Sequence, residues 1–232
     1  MSRRYFLESS IVDSKAQLVG DEAKHLAKVL RAKTGEQVTL FSGDGVEHLA
    51  QILSIGKSRI ELAILESHHI SREPRLSLCL AIALPRGDRQ RFLIEKCVEL
   101  GVAQIVPLIA ERSVAQPVGN ALDRCRRYVI EASKQCGRNH LLRIEGACRA
   151  NDFWNRETSR RRLIAHPYGE DLAECSALSD QTELTIAIGP EGGFADEEIA
   201  CARDLGWSLL QLGPRILRVE TAAFYVAARL LD

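Results

Sequence analysis

The chain contains no CxxC pair, no HExxH run, no GxxxxGK[ST] loop and no GxGxxG loop. Each absence removes a class of chemistry. Seven cysteines (79, 97, 125, 136, 148, 175 and 201) make an odd set, and several lie in apolar-periodic segments such as "FLIEKCVEL". They predict reduced, mostly buried thiols in a cytoplasmic protein rather than disulfides or a metal centre. Six histidines show no ligand spacing, and His68–His69 stand in a polar stretch, so no metal site is expected. Without the Walker lysine or the dinucleotide fingerprint there is no standard phosphate cradle. No apolar run approaches the roughly 20 residues that span a bilayer. "MSRRYFLESSIVD" has basic residues but no apolar core behind them. Neither a membrane span nor a signal peptide is expected.

Net charge is also missing, but the formal zero hides an asymmetry. Between Arg124 and Arg143 six bases face one acid, a net of +5; between Gly169 and Asp204 ten acids face one base, a net of −9. A chain with no overall pull on a polyanion can still present a basic face to it. The same pattern also suits solvated helix faces, and composition does not separate the two. With 232 residues, 46% of them hydrophobic and 27% charged, the chain is expected to be a soluble globular protein of one large domain or two modest ones.

Two rhythms run along it. Up to residue 66, short β-like runs alternate with turns: "QVTLF", "SGDG", "VEHLAQILSI", "GKS", "RIELAILE". Asp-Gly between such runs signals a hairpin. Ahead of them "GDEAKHLAKVLRAKTGE" predicts one helix, N-capped by Asp21, striped by Leu26, Val29 and Leu30, and stopped by Gly35. This predicts a small barrel-like domain over residues 1–70. "SHHISREPR" looks like a linker, and a second domain is expected over 75–232. There, near-continuous apolar strands ("LSLCLAIAL", "QIVPLI", "RLIAH", "LTIAIG", "SLLQLG") lie among helices near 89–100, 120–135, 195–205 and 219–231. That pattern predicts a mostly parallel sheet covered on both faces.

Open parallel sheets bind ligands at the carboxyl ends of their strands. Two loops leave such ends, "GPEGGF" (189–194) and "GPRILRVETA" (213–222), and both open with Gly-Pro, which predicts two similar sharp turns. Asp196 is the expected N-cap of the helix after the first loop, with Glu197 and Glu198 in its first turn. Glu191 and these acids disfavour a pyrophosphate. A ligand with a positive centre fits better, and S-adenosylmethionine has a sulfonium, an ammonium and an adenine suited to backbone and apolar contacts.

"HLAKVLRAKTGE", "RQRFLIEKCVELGVAQIVPLIAERS", "EASKQCGRN", "IGPEGGF" and "LGPRILRVETA", all in order from about residue 3 to the end, closely resemble the RsmE family of bacterial 16S rRNA methyltransferases, within the SPOUT superfamily. The resemblance implies an N-terminal PUA-like RNA-binding β-barrel and a C-terminal α/β domain whose last segments thread a trefoil knot. It implies a homodimer, S-adenosylmethionine as cofactor, and methylation at N3 of a uridine of 16S rRNA in the 30S subunit. Where relatives often read LRTETA, this chain has Val219.

By that resemblance the cofactor lies among residues 165–167, 189–193 (Gly189, Pro190, Glu191, Gly192, Gly193) and 212–222. His166 is a candidate contact or a satisfied histidine at a strand end. Leu212, Ile216 and Leu217 would pack on adenine or ribose, with Gly213, Thr221 and Ala222 beside its polar edges. Deprotonating uracil N3 needs a base and a donor for the carbonyl oxygens. Arg218 is the expected donor; Glu220, ahead of Glu191, is the expected base. For RNA the candidates are Arg3, Arg4, Lys24, His25 and Arg31 on the first domain. On the second they are Arg86, Arg89, Lys134, Arg138 and Asn139, the last two expected at a helix end facing solvent. The rivals are a nucleotide enzyme with a phosphate cradle, a non-catalytic RNA-binding module, and a SPOUT enzyme acting elsewhere on RNA.

Overall fold

In the computed structural model, residues 4–29, 32–113, 121–172 and 182–231 are described. They divide into two units: Met1–Glu73 with Ser133–Leu141, and Pro74–Ala132 with Leu142–Asp232.

The first unit is a curled five-stranded sheet in the order β1-β3-β4-β5-β2. Its strands are β1 (Arg4–Phe6), β2 (Lys15–Val19), β3 (Gln37–Phe41), β4 (Val46–Ile55) and β5 (Arg59–His69). All neighbours are antiparallel except β1 and β3. Alternation drives the fold: Ala16 and Leu18 of β2, Val38 and Leu40 of β3, and Ile60 and Leu62 of β5 point into one core with Tyr5, Ala50 and Ile52. The "SGDG" hairpin forms as expected, with Gly43 and Gly45 at φ 91° and 90°. The expected single helix does not. Gly20–Lys24 is α-helical (α1), N-capped by Val19 rather than Asp21, and the chain continues as a π-helical turn over His25–Val29. Leu26 of the expected apolar stripe is fully buried, and Leu30 lies outside the described residues.

The segment after α3 (Ala121–Cys136) corrects a second expectation. Arg138 is 5% exposed and Asn139 is fully buried. Arg138 donates two hydrogen bonds from Nε and one from Nη2 to the Glu73 carboxylate, the shortest 2.6 Å. Asn139 Nδ2 donates to the Ile70 carbonyl at 2.8 Å. Arg4 joins them, donating to Glu47, to Asn139 Oδ1 and to the Arg138 carbonyl, with its guanidinium over the Phe41 ring. Burial pushes the Arg4 guanidinium below its usual pKa, opposed by Glu47. A Cβ at Gly45 would meet the His140 ring at 2.6 Å, so only glycine lets 139–141 pack against this hairpin.

The second unit is a fully parallel sheet, β12-β10-β11-β6-β7-β8, with β9 also on β7. Its strands are β6 (Ser77–Ile82), β7 (Gln104–Ile109), β8 (Arg143–Ile144), β9 (Cys148–Arg149), β10 (Arg162–Asp171), β11 (Glu183–Ile188) and β12 (Ser208–Gln211). The apolar runs Leu78–Ile82 and Leu184–Ile188 are buried almost throughout, as a sheet covered on both faces requires. Helices α2 (Asp88–Glu99), α5 (Asp196–Asp204) and α6 (Val219–Leu230) lie where expected; α4 (Ala150–Arg156) is too short for a periodic signal. Phe153 and Trp154 of α4 pack with Trp207 and Phe194 beneath the glycine loop. Among the described residues no helix is long and apolar enough to cross a membrane.

Candidate functional site

Three neighbouring strands, β12, β10 and β11, end at one edge of the parallel sheet, and each ends differently. β10 carries a large bulge: Ala165 and Glu170 both pair with Leu210 of β12, which leaves residues 166–169 extruded. Gly169 makes this possible, because a Cβ there would sit 2.4 Å from the Leu210 backbone nitrogen. The bulge presents His166, Pro167 and Tyr168; the Tyr168 N–H donates to His166 Nδ1 at 3.2 Å, so the neutral ring carries its proton on Nε2. After β11 the chain turns tightly, with Gly193 N–H on the Pro190 carbonyl at 2.8 Å and Gly193 at φ 71°. After β12, Gly213 takes φ 96°, whereas Gly189 lies outside the left-handed region. The two Gly-Pro turns are therefore not alike. Gly189 is needed instead for closeness: its Cβ would press on the Phe194 ring at 3.0 Å.

These strand ends enclose a cavity of about 560 Å³, within the range of small-molecule sites, roughly 300–1,000 Å³. Its wall includes His166 and Tyr168 from the bulge, the whole loop 189–194, and Leu212, Gly213, Ile216 and Leu217, with Ala222 behind. A Cβ on Gly193 or Gly213 would meet nothing within 4 Å, so both turns leave open space. Ile216 is 91% exposed, an aliphatic side chain held out beside the cavity. Thr221 is exposed and does not line the cavity.

Two side chains whose roles sequence reasoning missed hold the glycine loop and the start of the helix after it. Arg112 lines the cavity, and its Nη1 donates to the carbonyls of Gly192 (3.1 Å) and Phe194 (3.4 Å). Glu198 turns inward, accepting from the N–H groups of Glu111 (3.0 Å) and Ala195 (2.9 Å). Ala195, not Asp196, is the N-cap of α5, and Glu198, at the third helical position, reaches back to accept from the Ala195 N–H. Asp196 faces the cavity instead. Two acids, Glu191 and Asp196, and two arginines, Arg112 and Arg215, thus share the lining. The loop is less acidic in three dimensions than along the chain.

The expected base is placed elsewhere. Glu220 does not line the cavity and is 9% exposed. Arg89, in the first turn of α2, donates to both its oxygens, from Nε at 3.0 Å and from Nη2 at 2.7 Å. The hydrogen bonds from Arg89 hold the Glu220 carboxyl below its usual pKa against the opposing effect of burial. A carboxylate so stabilised is a poor proton acceptor. The same guanidinium donates from Nη1 to Glu191 at 3.0 Å. Arg218, the N-cap of α6, is exposed and follows Leu217 of the cavity wall without lining the cavity itself.

With this geometry in view, comparison with known proteins is decisive. Residues 72–231 match the family model for an RNA methyltransferase domain, and residues 18–65 match one for an RNA methyltransferase PUA domain. The ribosomal RNA small subunit methyltransferase E of Rickettsia conorii is 31% identical, with 97% of this chain and 93% of that protein aligned. The chain belongs to the ribosomal RNA small subunit methyltransferase E family. Another family member, from Bacillus subtilis, is 28% identical over 96% of this chain and 93% of its own. The crystal structure of the family protein from Neisseria gonorrhoeae, bound to S-adenosylmethionine, superposes with a TM-score of 0.90 at 30% identity, covering 99% of this chain and 96% of that one. This family member therefore has the expected fold class: an N-terminal PUA-like β-barrel domain and a C-terminal α/β SPOUT domain on a parallel sheet.

The candidate RNA contacts of this methyltransferase E chain separate by burial. Lys24, His25 and Arg86 are exposed. Arg89 is engaged by the two acids. Arg4, Lys134, Arg138 and Asn139 are turned inward; Lys134 Nζ donates to Glu22 at 2.8 Å, and its side chain is 10% exposed. These four are structural residues of the first unit, a correction to their expected place on an RNA face. The three cations and the Asn139 amide are taken up by partners distant in sequence. Arg124, Arg126, Arg127 and Arg143 of the basic segment remain exposed. Arg3 and Arg31 lie outside the described residues.

Proposed function

We propose that this chain is an S-adenosylmethionine-dependent methyltransferase of ribosomal RNA, acting at N3 of a uridine of 16S rRNA in the assembled 30S subunit. The observation that carries this reading is the cavity at the ends of β10, β11 and β12, walled by open glycine turns and exposed aliphatic groups. Its residues fit the cofactor. Leu212, Ile216 and Leu217 offer an apolar surface for the adenosyl part, backbone at 189–193 and 213 offers polar contacts, and Glu191 and Asp196 suit the ammonium and sulfonium. When bound, S-adenosylmethionine supplies an electrophilic methyl group.

The chain's own residues have the remaining work. Uracil N3 carries a proton at neutral pH, and the carbonyl oxygens gain charge as it leaves. Arg89 holds Glu220 by two sheltered hydrogen bonds but Glu191 by only one exposed one, so Glu191 is the carboxylate at the cavity wall left to accept that proton. Arg218, exposed beside Leu217, is the donor toward a carbonyl oxygen. The exposed side chains of Lys24, His25, Arg86, Arg124, Arg126 and Arg127 are the phosphate contacts, which position RNA without reading its sequence. A cytoplasmic location belongs to the same reading. So does the threading of the last segments as a trefoil knot, supported by β10 lying between β11 and β12. The homodimer is supported by Phe92 (48% exposed) and Tyr225 (40% exposed) on the neighbouring helices α2 and α6.

Calorimetry tests the reading. S-adenosylmethionine should bind the purified protein with ATP and NAD clearly weaker; tight ATP binding with no binding of S-adenosylmethionine would overturn it. A non-catalytic RNA-binding module would bind neither.

A further inference from the structure

Arg89 spends its whole guanidinium edge on two carboxylates that belong to different walls of the site. Nε and Nη2 meet Glu220 in the first turn of α6, while Nη1 meets Glu191 at the tip of the glycine loop. The two attachments are unequal. The Glu220 side chain is 11% exposed and gripped by two parallel hydrogen bonds; the Glu191 side chain is 54% exposed and held by one. A bidentate, sheltered pair is the strong form of this interaction, and a single exposed contact the weak one. Arg89 raises its own pKa through Glu220 first and Glu191 second, and stays charged throughout.

We propose that Arg89 is a positioning residue for the cofactor cavity: anchored on Glu220, it fixes Glu191 and with it the outer side of loop 189–193. The inference rests on the reading of the cavity as the S-adenosylmethionine site. Arg112 holds the same loop at different atoms, through the Gly192 and Phe194 carbonyls, so two arginines hold the glycine turn. A loop fixed before the ligand arrives loses less freedom on binding. Glu220 thereby affects the cavity without touching it.

The test is a set of cofactor affinities measured by calorimetry on the full chain, with circular dichroism to verify folding. Arg89→Ala is expected to weaken S-adenosylmethionine binding about fivefold, the upper end for an exposed ion pair. Glu220→Gln, outside the cavity, should weaken it in the same direction. Arg89→Lys, which keeps the charge and reaches one carboxylate at a time, should fall between wild type and Arg89→Ala and serves where alanine impairs folding. In the double variant Arg89→Ala/Glu191→Ala, removing Glu191 should cost less than it does in the wild-type background, because its support has already gone. In turnover assays the Arg89→Ala loss should appear in KM for the cofactor more than in kcat. Fully multiplicative effects of Arg89→Ala and Glu191→Ala, or full affinity in Arg89→Lys, would overturn the proposal. A wild-type protein that does not bind S-adenosylmethionine would instead overturn the function proposed above.

Discussion

Glu220→Gln removes one negative charge at nearly constant shape, which makes it the cleanest probe of the α2–α6 junction. Glutamine keeps one acceptor oxygen for Arg89 and replaces the other with a donor that faces another donor. Breaking a fully buried ion pair costs about 3–5 kcal/mol, and an exposed pair about 0.2–1 kcal/mol. Here the carboxylate is sheltered at 11% exposure and the guanidinium is open at 42%. The expected loss is therefore intermediate, about 1–3 kcal/mol at pH 7. For a chain of this size that corresponds to roughly 2–12 °C in Tm. Both tryptophans, Trp154 and Trp207, lie in the core of the second unit, so fluorescence-detected unfolding reports on the unit that holds Glu220. The sign with pH follows from the lowered carboxyl pKa. The usual value is 4.5 and the folded value is below it, so the stabilisation is complete above about 4.5 and is lost as pH falls through the folded value. The gap between wild type and Glu220→Gln should be full at pH 7 and close in more acidic buffer. A gap independent of pH, or none at pH 7, would refute the pairing.

Gly169→Ala should destabilise the second unit by several kcal/mol, visible as a large drop in Tm, because its Cβ would sit 2.4 Å from the Leu210 backbone nitrogen. Arg138→Ala should lower stability by about 3–5 kcal/mol through the stranded Glu73 carboxylate; RNA affinity lost with stability unchanged would contradict its structural role. Cys79, whose thiol burial pushes up to about 12, should resist alkylation at pH 8 in the native protein and react on unfolding, as mass spectrometry of the labelled chain would show.

What the sequence made legible follows from how local each cause is. β6, β7 and β11 announce themselves because a strand buried on both faces must be apolar almost throughout, and β10 and β12 show only through their short apolar runs. The Gly-Pro loops stand out because they leave the carboxyl ends of parallel strands, and the cavity there is lined by the cofactor candidates except Thr221. The failures are of the opposite kind. Whether Arg138 meets solvent or Glu73 depends on a partner 65 residues away, and charge counting along a segment carries no such information. The extrusion of 166–169 depends on β12 meeting Gly169, so "RLIAH" gave only the strand before the bulge. Glu220 is a candidate base by chemical type beside Arg218, and nothing in the local sequence shows that its carboxylate turns toward Arg89 of α2. Arg112 stood in a segment that carries the family resemblance, yet no rule of spacing ties it to the glycine loop.

The central claim is methyl transfer to uracil N3 at this cavity. It is tested most directly by incubating the purified chain with S-adenosylmethionine and 30S particles from cells lacking the gene, then identifying the nucleosides of 16S rRNA by mass spectrometry. The account predicts 3-methyluridine at a single position, absent before incubation and absent when the cofactor is left out. Particles that stay unmethylated although the protein binds S-adenosylmethionine, or a methyl group found on another atom, would contradict it.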